Sequence, residues 1–209
     1  MRSSVVLIFL RTNDTKVIQI ILMVIEDLGA KLGKRVTNIH VVFRFSGKFD
    51  ISFSILIFST IHLLGITLED LSSKVPLIEN LLRNNKHVRV LICNPKSHMI
   101  SELEWLVVSS NTSQRIEGTL GMLDQMRTNL NETQKNNLEL RTYDDIPSHS
   151  MIIVDPDTSS SFMQIEPYPQ LTAQQYRRIF KISQHEQRNI FELYWNAYNI
   201  LWSHAESIY

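Results

Sequence analysis

One cysteine in 209 residues, Cys93, excludes an intrachain disulfide. Its place at the end of the apolar run Val88–Cys93 predicts a small buried strand residue rather than a reactive thiol. Reducing, cytoplasmic surroundings are therefore expected. Net charge is absent too, since 21 Lys and Arg balance 21 Asp and Glu, so the long-range basic field of a nucleic-acid binder is missing and nucleic acid is not favoured as a partner. Long hydrophobic runs are also missing. Val17–Ile25 is interrupted by Gln19, and Phe53–Ile66 by Ser54, Ser59, Thr60 and His62, so neither reaches the roughly 18 continuous apolar residues of a membrane span. The start, Met1 to Ser4 and then Val5–Leu10, is short for a signal-peptide core. The sequons at Asn13, Asn111 and Asn131 are chance matches in such a chain. There is no internal repeat and no low-complexity segment.

What remains, with 44% hydrophobic residues, is an ordinary globular composition large enough to bury a core without disulfides or a structural metal. Val5–Leu10 predicts a buried strand, and Asn13 to Thr15 offers N-cap chemistry for a helix to about Leu32. Alternation over Thr37–Phe45 predicts a half-buried strand turned by Ser46 to Lys48, whereas Ile51–Phe58 leans helical or irregular. Residues 1–50 are treated as an N-terminal extension of unclear role joined to the same fold, and residues 51–209 as the main lobe.

In that lobe Ile61–Ile66 predicts a strand, and Thr67 with Asp70 a capping-box-like start to a helix burying Leu68, Leu71, Val75, Ile78 and Leu82. Val88–Cys93 predicts a central strand stopped by Asn94 and Pro95. Helices follow over Ile100–Val108 and from about Ile116 to Lys135, the second carrying Gly118 and Gly121 as sites of close packing. Three strands, Leu138–Tyr143, Ser150–Val154 and Phe162–Glu166, are separated by turn chemistry, and a helix from about His185 to Ser207 closes the chain. The fold class is α/β, with a mixed, mainly parallel sheet flanked by helices on both faces.

The segments Ile61–Leu68, Val88–Pro95, Leu138–Asp144 and His149–Asp155, in this order and spacing, resemble one lobe of the phospholipase D-like superfamily over roughly residues 60–207. The resemblance implies a strand carrying an H-x-K-x4-D motif. In that motif a histidine attacks phosphorus, a lysine neutralises the phosphoryl oxygens, and a second histidine, from a second motif copy, protonates the leaving group. One copy per chain implies a homodimer that brings two such histidines together. His149 matches the nucleophile; Met151 stands where the lysine belongs; Asp155 falls one residue early, with Pro156 at the aspartate's position. The motif is thus degenerate, because loss of a cation at a phosphoryl transition state commonly costs roughly 100-fold or more in rate.

His149 and Asp155 are the catalytic candidates that the resemblance supplies, and Asn94, Lys96, His98 and Arg141 the candidate ligand contacts. The loop after Val88–Cys93 lies where open α/β sheets hold ligands, and Lys96 or Arg141 is the available substitute for the lost lysine. Each has a plainer reading: a strand-entrance histidine, an Asp-Pro-Asp turn, a capped polar loop. His98 and His149 lack ligand-like spacing with other donors, so no metal and no cofactor is expected. The aromatic final helix, with Phe191, Tyr194, Trp195, Tyr198 and Trp202, is a sheet-covering helix, or else a dimer surface or ligand platform; Arg177, Arg178 and Lys181 form a small basic cluster before it. The leading expectation is a binding or regulatory module for a phosphate-bearing ligand. An active homodimeric phosphodiesterase or nuclease using His149 from each subunit is the alternative, and a pure interaction domain, marked by an exposed apolar patch, is the third.

Overall fold

The structure, a computed structural model, describes residues 6–10, 39–43, 52–53, 59–107, 110–168 and 177–209, and divides into two compact units, Met1–Phe58 and Ser59–Tyr209. In the first unit β1 (Val6–Leu10) pairs in parallel with β2 (Ile39–Phe43), and β2 pairs antiparallel with β3 (Ser52–Phe53). The two expected strands are present. Ser52 and Phe53 are strand where helix or irregular structure was expected, paired with β2, and the rest of Ile51–Phe58 lies outside the described residues. The expected helix after Asn13 and the turn at Ser46 to Lys48 lie outside the described residues.

The second unit is built on a seven-stranded sheet. Its strands are β4 (Thr60–Gly65), β5 (His87–Cys93), β6 (Leu138–Tyr143), β7 (His149–Val154), β8 (Phe162–Pro167), β9 (Phe180–Ser183) and β10 (Glu206–Ser207). They lie in the order β10-β6-β5-β4-β7-β8-β9. The β4/β5 and β5/β6 ladders are parallel, and the other four are antiparallel. The α/β class holds and the sheet is mixed, but it is not mainly parallel. A strand that follows its neighbour through a short turn has no room for a crossover, so β8 must return antiparallel on β7.

The helices depart from sequence expectation at their ends. Thr67 does not cap. Leu68 takes the left-handed conformation with φ 48°, a 3-10 segment runs over Glu69–Lys74, and the α-helix proper, α1, is Val75–Arg83, with Pro76 in its first turn where a missing N–H costs nothing. A Cβ at Gly65 would stand 2.5 Å from Leu68 Cδ2, so a larger residue there displaces that side chain. Helix α2 is Ile100–Val107, and α3 is Thr112–Thr128. The helix expected to reach Lys135 stops at Thr128 and restarts as α4 (Glu132–Asn136), because Asn131 forms a reciprocal capping box with Gln134. The last helix, α5 (Arg188–His204), ends before β10, which pairs with Thr142 and Arg141 of β6.

Strand β5 is the centre of the core, with Val90, Leu91, Ile92 and Cys93 fully buried, so both of its faces are covered. Paired residues point to the same side, which puts His62, Arg89, Glu139, Arg141, His149 and Met151 on one face. The rings of α5 pack on that face, edge-on to His62 and His149 and beneath the guanidinium groups of Arg89 and Arg141. Burial raises the Cys93 thiol to about 12, which makes it inert as a nucleophile. No helix among the described residues is long and apolar enough to cross a membrane.

Gly118 and Gly121 were expected at close packing, yet both lie on the open side of α3 with nothing within 4 Å of a Cβ. Each therefore only loosens the helix. Gly118→Ala and Gly121→Ala are expected to stabilise the protein by about 0.5–1 kcal/mol apiece, read as a higher urea midpoint at unchanged slope; a loss of stability would show that α3 packs there after all.

Candidate functional site

The parallel strands β4, β5 and β6 end at Gly65, Cys93 and Tyr143, and antiparallel β7 begins beside them, because Leu64 pairs with Met151. His149, at the start of β7, thus stands at the carboxyl end of the parallel strands, the end at which open α/β sheets hold ligands. The loop carrying Asn94, Lys96 and His98 leaves β5 at the same end, two strands away.

His149 is half-buried, and its Nδ1 is hydrogen-bonded to Ser148 Oγ at 2.7 Å. Tyr194 of α5 meets its ring edge-on at a centroid distance of 5.1 Å, and Nε2 is buried with no hydrogen-bond partner among the described residues. Burial is what holds its pKa below the ordinary histidine value. Met151, at the motif's lysine position and on the same sheet face, is 1% exposed and belongs to the core.

Asp155 does not join His149. It follows the far end of β7, six residues and roughly 20 Å along the strand. Its Oδ1 accepts hydrogen bonds from the Ser59 and Thr60 amides, both at 2.7 Å, while its own amide donates to the Thr60 carbonyl. Its φ of 44° is a left-handed conformation that Asp tolerates, and its carbonyl accepts from the Thr158 amide and hydroxyl. Asp155 clamps the entry to β4 against the exit from β7.

The ligand-contact candidates scatter in the same way. Asn94 donates to Asp144 Oδ1 at 3.1 Å and accepts from the Lys96 amide at 3.0 Å. Ser97 adds a bond to the Asp144 carbonyl, so the loop after β5 is tied to the one after β6. Lys96 and His98 are exposed on it. Arg141 lies under α5, where it donates to the Trp202 carbonyl at 2.9 Å and stacks 4.6 Å from that ring, covering the helix C-terminus. It is therefore committed to α5, three strands across the sheet from His149.

Sequence reasoning missed a second polar group at this end. Glu166, opposite Ser150 in the β7/β8 ladder, is 2% exposed and lies 4.0 Å from Arg177, whose guanidinium stacks over Tyr168 at 4.8 Å. The Tyr168 hydroxyl is raised to about 12, chiefly by burial. Arg177 is thus no part of a solvated basic cluster, although Arg178 and Lys181 are exposed. The available signal was the alternation of β8, which puts Gln164 and Glu166 opposite Met163 and Ile165 in a strand buried on both faces. Among the described residues no cluster of His, Cys, Asp or Glu could hold a metal ion. The sequence matches no protein-family model and no curated protein.

Beneath α5, His62 is 2% exposed, edge-on to Trp195 and Tyr198 at 5.1 and 5.2 Å, with Nδ1 unpartnered among the described residues. Burial, reinforced by Arg89, lowers its pKa to about 3. Arg89 is itself paired with Glu139 at 2.7 Å. The folded state holds His62 neutral while the unfolded chain protonates near 6.5, so this contribution to stability is present above pH 6.5 and is lost as pH falls below it. His62→Leu is expected to lose about 2 kcal/mol less than wild type between pH 7.5 and pH 5 in urea unfolding; parallel pH profiles would mean that His62 is protonated in the fold.

Proposed function

We propose that the second unit is a catalytically silent, phospholipase D-like lobe serving in the cytoplasm as a binding or regulatory module, with a phosphate-bearing ligand held at the carboxyl end of its parallel strands. The observation that carries this reading is the surroundings of His149. It stands at the ligand-holding end of the sheet, yet the residue two positions on is the core methionine Met151 and burial alone perturbs its proton affinity. A phosphoryl transition state would gather negative charge with no lysine at the motif position, while Arg89 and Arg141 on the same face are held by Glu139 and by the Trp202 carbonyl. Exposed Lys96 and His98 supply attraction for a phosphate group without placing charge at the reacting atom.

One observation favours a second reading, an active phosphodiesterase completed by His149 of another copy. The imidazole Nε2 has no hydrogen-bond partner among the described residues, as a nucleophile requires. Hydrolysis of bis-p-nitrophenyl phosphate by wild type and His149→Ala separates the two. Equal, background-level rates, together with inorganic phosphate shifting amide resonances of residues 94–98 and 148–150, are expected. A drop of about 100-fold or more in His149→Ala would instead establish catalysis, and unmoved resonances would remove phosphate as the ligand class.

A further inference from the structure

Helix α3 opens at the carboxyl end of the parallel strands. The Ser113 hydroxyl donates to the Pro95 carbonyl, in the loop after β5, and the Thr119 hydroxyl to the Thr67 carbonyl, after β4, both at 2.7 Å. The start of α3 is thus fixed where α/β folds hold phosphate groups against helix amides. Its N-cap residue does not close it. Asn111 takes the left-handed conformation, φ 57°, and its side chain makes no capping bond. The amides of Thr112, Ser113 and Gln114, which follow it, have no acceptor within the helix.

An acid from α2 meets part of that demand, since Glu104 Oε1 accepts from the Thr112 amide at 2.6 Å. The helix start therefore already holds an anionic group. One polar atom is left over. Thr112 is 0% exposed, and its Oγ1 is buried with no hydrogen-bond partner among the described residues. At the first helical position the Cα–Cβ bond tilts toward the helix start, so this hydroxyl is aimed at the same place as the amides. A buried hydroxyl without a partner is destabilising, and the Glu104 carboxylate does not relieve it. Cations stand close by. Arg115, paired with Glu69 at 2.6 Å, also feels the charge of Glu104, and exposed Lys96 follows Pro95.

Building on the phosphate-binding reading above, we infer that the start of α3 is the phosphate seat: a phosphate monoester bonds to the Ser113 and Gln114 amides and the Thr112 hydroxyl, and Glu104 is a built-in competitor that turns out to admit it. Glu104 is half-buried, so its side chain has solvent to turn into. Charge selects the ligand class. A diester or a carboxylate carries one negative charge and gains nothing over Glu104, which is tethered and so present at high effective concentration. A monoester dianion gains at the helix start and from Arg115 and Lys96.

Titration with inorganic phosphate, followed by amide resonances, tests this on wild type, Glu104→Gln and Thr112→Val. Glu104→Gln keeps an oxygen for the Thr112 amide but loses the charge. It is expected to tighten phosphate binding at least about 10-fold, with the Ser113 and Gln114 amides moving most. Thr112→Val keeps the shape without the hydroxyl and is expected to weaken binding roughly 3-fold or more, in wild type and in Glu104→Gln alike. Dimethyl phosphate, a diester, is expected not to compete. Spectral dispersion shows on the same samples that each variant is folded, and Thr112→Val reads the seat even where Glu104→Gln does not fold. Shifts confined to residues 94–98 and 148–150, with equal affinities for wild type and Glu104→Gln, overturn the seat and leave the phosphate reading standing. A Thr112→Val that binds as wild type does, or a diester that binds as well as phosphate, also overturns it, and no shift in any of the proteins removes both readings together.

Discussion

Laying α5 across the sheet requires that two arginines and two histidines be met by aromatic rings instead of aliphatic side chains. Arg89 pairs with Glu139, and Arg89 and Arg141 both stack on Trp202, so each half-buried cation finds a carboxylate or a ring face. His62 finds neither, and is held neutral between Trp195 and Tyr198. The ring stacking of Trp195 on Tyr198 and of Tyr198 on Trp202 makes the underside of the helix one continuous aromatic surface. His149 lies under the same roof, against Tyr194. The cover that stabilises the sheet is thus also what limits the approach of anything to the histidine.

The order of elements was legible wherever the apolar pattern was long and bounded. Strands β4 to β8 fall within a residue or two of the runs that announced them, and Cys93 sits in the core as its context required. Strand direction was less legible, because an apolar run buried on both faces reads the same in parallel and antiparallel ladders. The break between α3 and α4 was written in Asn129 and Asn131, but side-chain capping competes with helix propensity by only about 1 kcal/mol and is easily overlooked in an amphipathic pattern. Strands β9 and β10, four and two residues long, are made by their neighbours and have no signal of their own.

At the site, the end of the sheet at which His149 stands follows from the antiparallel direction of β7, which was no more legible than the partners of its neighbours. Asp155 reads as a motif residue or as a turn until the register shows its carboxylate bonded to the Ser59 and Thr60 amides. Arg141 reads as a spare cation until Trp202, sixty-one residues on, is found to occupy it. Glu166 and Arg177 gave the opposite error, looking like a strand end and a solvated charge while forming an ion pair with side chains only 3% and 8% exposed. In each case the missing information is tertiary: a charged side chain is assigned by what lies across from it in space, and sequence spacing carries none of that.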